Sequence, residues 1–174
     1  MREIAATAHV GLSNIYNYFP GKDALFRETV RPAVRKFERM LEEHHGQQGT
    51  DIAGMFSEES FRQLVGKYLQ LLRENRTELE LLFFCSQGST LANFRETYTV
   101  RSTAIVQNYF REAKRRHPQV ETGVSDFFIH LHAAWMFTLF EELLMHRIHP
   151  RETERVIREY ITFEITGWRE LMKI

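Results

Sequence analysis

Ile4-Ala5-Ala6-Thr7-Ala8-His9-Val10-Gly11-Leu12-Ser13-Asn14-Ile15-Tyr16-Asn17-Tyr18-Phe19 is the stretch on which the reading of this chain turns. Ile4, Ala5 and Ala8 put a small apolar face on a first short helix, and the alanines let a second helix come close. His9-Val10-Gly11 supplies the turn. In the second helix Leu12, Ile15 and Phe19 recur at i, i+3 and i+7 and point inward. Ser13, Asn14, Tyr16, Asn17 and Tyr18 are then left facing outward or along the edges. Two short helices joined by a tight turn, the second with a polar and aromatic outer face, form a helix-turn-helix whose second member fits the major groove of DNA.

Outward from this stretch, glycine and proline are scarce, and apolar residues between them recur at three and four rather than at two. The prediction is helix throughout. Phe26, Val30, Val34, Phe37 and Leu41 form one stripe of a long helix over about 22–44, weakened near Pro32, which donates no backbone hydrogen bond. A polar loop is expected over 45–50. Ser57, followed by Glu58 and Glu59, reads as a helix start leading into Phe61, Leu64, Val65, Tyr68, Leu69 and Leu72. A short helix over about 77–85 should follow, then a break at 86–90. Phe94, Tyr98, Ile105 and Tyr109 suggest a helix ending near His117-Pro118, and Ser125 and Asp126 suit the cap of the next.

That next helix, over about 125–147, carries apolar residues around most of its circumference, so it must be buried on more than one side. Pro150 suits the first turn of the last helix, whose Val156, Ile157, Tyr160, Ile161, Ile165, Trp168 and Leu171 make a broad apolar face. Two such helices from each of two chains would pack as a four-helix bundle; a single thick core is the alternative.

Composition excludes several classes. With 23 Lys plus Arg against 23 Asp plus Glu, the chain has no global basic excess, so nucleic-acid contact must come from local placement of charge. One cysteine, Cys85, rules out an intrachain disulfide framework and CxxC chemistry; its expected place is the core. No run approaches a membrane span, and Met1-Arg2-Glu3-Ile4 lacks a signal-peptide stretch, so a soluble cytoplasmic protein without membrane contact is expected.

The ordered set Ile4-Ala5, Ala8, Val10, Ile15-Tyr16, Tyr18-Phe19-Pro20, Lys22 and Ala24-Leu25-Phe26 resembles the DNA-binding signature of the TetR family of transcriptional regulators. The resemblance implies a dimer on a palindromic operator, usually a repressor, released by a small ligand in a larger domain. By position, Ser13, Asn14, Tyr16, Asn17 and Tyr18 match the family's recognition-helix surface, and Lys22 matches a phosphate-contacting lysine at the start of the next helix. The chemistry agrees: Asn reaches base edges, whereas Tyr hydroxyls and a Lys ammonium suit phosphate oxygens. His9 and Gly11 depart from the pattern, standing where the family commonly has a turn glycine and a small hydroxyl residue. The family also carries a helix before Ile4. Its lack here means a trimmed sequence or an impaired DNA-binding head, and trimming is the expectation because the remaining motif is intact.

The fold expected is therefore all-α. An N-terminal helix-turn-helix DNA-binding domain with its connecting helix takes residues 1–45, and a larger C-terminal helical ligand-binding and dimerisation domain takes residues 46–174. Expected partners are a double-stranded DNA operator, a second copy held through the last two helices, and a small hydrophobic or aromatic effector. Phe84, Tyr98, Gln107, His132, Trp135 and Met136 are the candidate effector-pocket residues, with His130 a further polar group suited to orient a ligand. No cofactor or metal is expected. His130 and His132, two apart on a helix, point in different directions. Glu142, His146 and His149 could meet near a helix end, where histidine is explained by the dipole. With no nucleophile motif, phosphate-binding glycine loop or acid/base pair, the chain does not read as an enzyme. The rival reading is a dimerisation or sensory module without competent operator binding.

Overall fold

The computed structural model describes residues 1–45 and 52–174; the loop expected after His45 lies outside the described residues. The chain folds into α1 (Arg2–Thr7), α2 (Leu12–Tyr18), α3 (Lys22–His45), α4 (Ile52–Met55), α5 (Glu58–Glu74), α6 (Arg76–Phe84), α7 (Phe94–Arg116), α8 (Asp126–His146) and α9 (Pro150–Met172), with no strand among the described residues. The fold is all-α, as the apolar spacing requires. Helix starts fall where the polar residues put them. The Ser57 hydroxyl accepts from the backbone N–H of Ser60 at 3.2 Å, and that of Ser125 from Phe128 at 3.2 Å. His149 caps α9 through Nδ1, with Pro150 in the first turn. Lys114, Arg115 and Arg116 occupy the last turn of α7, where cations suit the carbonyl end of the dipole. The four-residue α4 was not anticipated, being too short to show a period.

Pro32 sits inside α3 without ending it. Its side chain is exposed, on a side where water can replace the lost hydrogen bond. Beyond Pro32, the buried Ala33, Phe37 and Leu41 belong to the main core with residues of α5 to α9. Phe37 is its centre. Its fully buried ring stacks on Phe137 at 5.6 Å between centroids and meets Phe140 and Tyr98 edge-on at 5.3 and 5.6 Å. The most extensive helix pairings are α7 with α8 and α5 with α9. A second cluster joins Ile52, Val106, Phe110, Ile129 and Met172. Thus α3 is one element with two roles, emerging from the helix-turn-helix and ending in the core of the body.

Helix α8 is covered only in part. Ile129, Ala133, Phe137, Phe140, Leu143 and Leu144 are buried, yet Phe127, Leu131 and Trp135, spaced by four, leave an apolar stripe open, with Phe127 74 % exposed. On α9 the matching stripe is Phe163, 67 % exposed, with Leu171 and, just past the helix end, Ile174. Scattered exposed apolar residues are ordinary, but two stripes on neighbouring long helices are not. One expectation is corrected here: Cys85 is exposed rather than core, because α6 ends at Phe84 and Cys85 falls on its C-cap.

Candidate nucleic-acid interface and internal cavity

Helix α1 is terminated by backbone hydrogen bonds that aim α2. The N–H of Val10 reaches the carbonyl of Ala5 at 3.0 Å and the N–H of His9 that of Ala6 at 3.2 Å, the paired bonds of a Schellman motif. This motif requires a left-handed residue, and His9 adopts φ 54°. Glycine is the residue that takes this conformation without steric cost, so His9 is strained where the helix turns. Gly11 is the N-cap of α2 and brings no side-chain bond; its carbonyl accepts from Asn14 N–H at 3.0 Å. Both departures noted in the sequence thus leave the turn intact at a local energetic cost.

On α2, Leu12, Ile15 and Phe19 are half-buried, whereas Ser13, Asn14, Tyr16, Asn17 and Tyr18 are all exposed, Tyr18 to 75 %. Lys22 is exposed at the start of α3, one short connection beyond. The six residues anticipated from the sequence therefore share one end of the molecule and are accessible together. On the apolar face of α1, Ile4 and Ala8 are exposed, while Ala5 is buried. Next to Lys22, the Asp23 carboxylate accepts from the Thr90 backbone N–H at 2.7 Å and the Thr90 hydroxyl at 3.0 Å. The backbone bond from Thr90 is the chief reason its carboxyl lies below the usual range; the Thr90 hydroxyl and Arg27 act in the same direction. This bond fastens the root of α3 to the α6–α7 loop.

The body encloses a cavity of about 130 Å³ walled by Phe56 and residues of α3, α5, α7, α8 and α9. Of the six candidate pocket residues, Tyr98, His132 and Met136 line it. The Tyr98 hydroxyl is already engaged, donating to the carbonyl of Phe37 at 2.9 Å. Gln107 lies instead in a shallow open depression with Arg111 and Lys114. Phe84 and Trp135 are outside the wall: Phe84 ends α6 at the surface, and Trp135 belongs to the open stripe of α8. His130 stacks on Phe127, also away from the cavity. Sequence reasoning missed Tyr68, Tyr160, Glu164 and Trp168, which complete the polar and aromatic part of the wall. Glu164 Oε2 meets Nε2 of His132, and that nitrogen lies 3.0 Å from the indole nitrogen of Trp168. Burial is the largest influence on Glu164 and pushes its carboxyl up to about 7, against the opposing pull of Trp168 and Tyr160.

Among the described residues no group of three or more His, Cys, Asp and Glu side chains is placed to hold a metal ion. Glu142 and His146 pair at 3.0 Å, while His149 serves as the cap of α9.

A tight turn that presents an accessible polar helix, followed by a long helix into an all-α body, defines a helix-turn-helix DNA-binding protein. Residues 1–29 match the family model described as bacterial regulatory proteins, tetR family, so this segment is similar to the DNA-binding part of that family of transcription regulators. No curated protein and no solved structure matches the chain. No helix among the described residues is long and apolar enough to cross a membrane.

Proposed function

We propose that this chain is a homodimeric, ligand-responsive repressor that uses α2 to bind a palindromic operator. The observation that carries the reading is the joint exposure of Ser13, Asn14, Tyr16, Asn17, Tyr18 and Lys22 on a helix held by the Schellman turn. Asn14 and Asn17 read base edges, since an Asn amide matches the donor and acceptor pair of adenine in the major groove. Ser13, Tyr16, Tyr18 and Lys22 hold phosphates and fix register.

Residues 1–45 form the DNA-binding unit with its connecting helix, and 46–174 the sensing and dimerising unit. Two copies join through the stripes of Phe127, Leu131 and Trp135 on α8 and of Phe163 and Leu171 on α9 with Ile174 just beyond it, whose exposure as monomer surface favours burial in a bundle of four helices. A two-fold dimer presents two α2 helices to half-sites roughly 34 Å apart or a multiple of that, hence the palindrome. The cavity is the effector site. Its size compares with the engineered apolar cavity of about 150 Å³ that binds benzene, so a ligand of one ring fits without rearrangement.

The test is to capture genomic DNA fragments on the immobilised chain and measure the enriched sequence by fluorescence anisotropy. A palindromic fragment is expected. Asn14→Ala should lose about 1–3 kcal/mol and relax discrimination at one base pair, whereas Lys22→Ala should weaken all sequences alike and reduce the salt slope by about 1 per protomer. Unchanged affinity in both variants refutes the interface. Dimers that enrich no sequence leave the dimerisation-module reading instead.

A further inference from the structure

Among the described residues that line the cavity, Glu164 is the one acidic side chain and none is Lys or Arg. It stands on the apolar face of α9 between Ile161 and Trp168, and its side chain is 11 % exposed. One carboxyl oxygen, Oε2, is taken by His132. The other, Oε1, is buried without a hydrogen-bond partner. An orphan acceptor of this kind is rare in a folded protein because it has lost its water and gained nothing in return. Of the phenols in the wall, that of Tyr98 donates to the carbonyl of Phe37, and that of Tyr160 interacts with the Glu164 carboxyl without making a hydrogen bond of normal geometry to Oε1; burial keeps Tyr68 and Tyr160 neutral. The rest of the described wall is apolar or aromatic apart from Ser102, with Tyr68, Phe110 and Trp168 offering ring surface. An acid with a free oxygen, no fixed cation and π-faces around it is complementary to a positive charge and opposed to a negative one.

We propose that this cavity, given the effector reading above on which the inference rests, takes a small apolar molecule bearing a single protonated amine, whose N–H group satisfies Oε1 of Glu164. The ring fills the apolar part of the cavity, and the ammonium occupies the carboxyl end. Groups facing Glu164 are His132 from α8, Tyr160 and Trp168 from α9 and Tyr68 from α5, none of which carries a fixed positive charge.

Four probes of similar size separate the terms: benzylamine, benzyl alcohol, toluene and benzoate, titrated into the full chain by calorimetry with tryptophan fluorescence as a second readout. Benzylamine is expected to bind at least about tenfold more tightly than toluene or benzyl alcohol, in line with one charge-assisted hydrogen bond, and benzoate not at all. In Glu164→Gln the advantage of benzylamine should vanish while toluene binding persists. The series on the parent chain needs no variant, so a variant that fails to fold leaves the test intact. Toluene binding as tightly as benzylamine overturns the cation preference and leaves an apolar effector site standing. Failure of all four probes overturns both.

Discussion

Glu164→Gln also changes how the protein's stability depends on pH, and here the size follows from the structure. The carboxyl is lifted by burial from an ordinary 4.5 to about 7. Between those values the folded chain keeps a proton that the unfolded chain releases. Stability from this group is therefore fully present below about pH 4.5 and is lost as pH rises through about 7. At 1.36 kcal/mol per unit the loss is about 3 kcal/mol, trimmed somewhat because the side chain is not completely shielded. Glutamine fills the same space and does not titrate. Urea unfolding followed by circular dichroism, at fixed protein concentration because association adds to apparent stability, should give parent and variant similar stability near about pH 5. Near about pH 8 the variant should be the more stable by roughly 2–3 kcal/mol. An unchanged pH slope in the variant refutes the reasoning, since it would mean that Glu164 titrates like a solvated acid.

The remaining predictions concern the turn, the stripes and the fastening of α3. His9→Gly should stabilise the protein by roughly 0.5–1 kcal/mol in thermal melts, the relief of left-handed strain exceeding glycine's entropy cost, and Gly11→Ser should add a few tenths by capping α2. Phe163→Glu and Trp135→Glu, which place charge on the open stripes, should halve the mass seen by sedimentation while leaving helix content unchanged. Thr90→Pro removes the N–H that reaches Asp23 and should speed amide exchange at the start of α3; unaltered protection there would mean that the contact is incidental.

Much of this was legible in the sequence because periodicity and caps act locally. Leu12, Ile15 and Phe19 marked the inner face of α2, and Ser57, Ser125 and Pro150 marked three helix starts. The all-round apolar character of α8 foretold a helix that its own chain does not fully cover. The cavity was less legible, since its wall is drawn from helices far apart in sequence. Phe84 and Trp135 have the composition of pocket residues, but a helix end and an outward register carry them to the surface. A signal for Glu164 did exist: an acid at i+3 from Ile161 and i+4 from Tyr160 interrupts an otherwise apolar face. The conformation of His9 left no such mark, because the Schellman bonds that impose it depend on where α1 ends.

One consequence of α3 is mechanical. Met40 lines the cavity and Lys22 stands beside the recognition helix, roughly 27 Å away along a helix rising 1.5 Å per residue. A rod of that length, tilted by about 5° at its inner end, swings its outer end by roughly 2 Å, comparable to a hydrogen bond's reach. Between the two ends lies a weak joint, where Pro32 lacks an N–H and the Thr29 hydroxyl draws on the carbonyl of Leu25 at 2.9 Å. On the function proposed above, whether a displacement at the cavity would reach the DNA or be absorbed on the way depends on the stiffness of one turn of helix around Thr29 and Pro32, where a single Pro32→Ala change would alter the transmission without touching the cavity wall or the exposed face of α2.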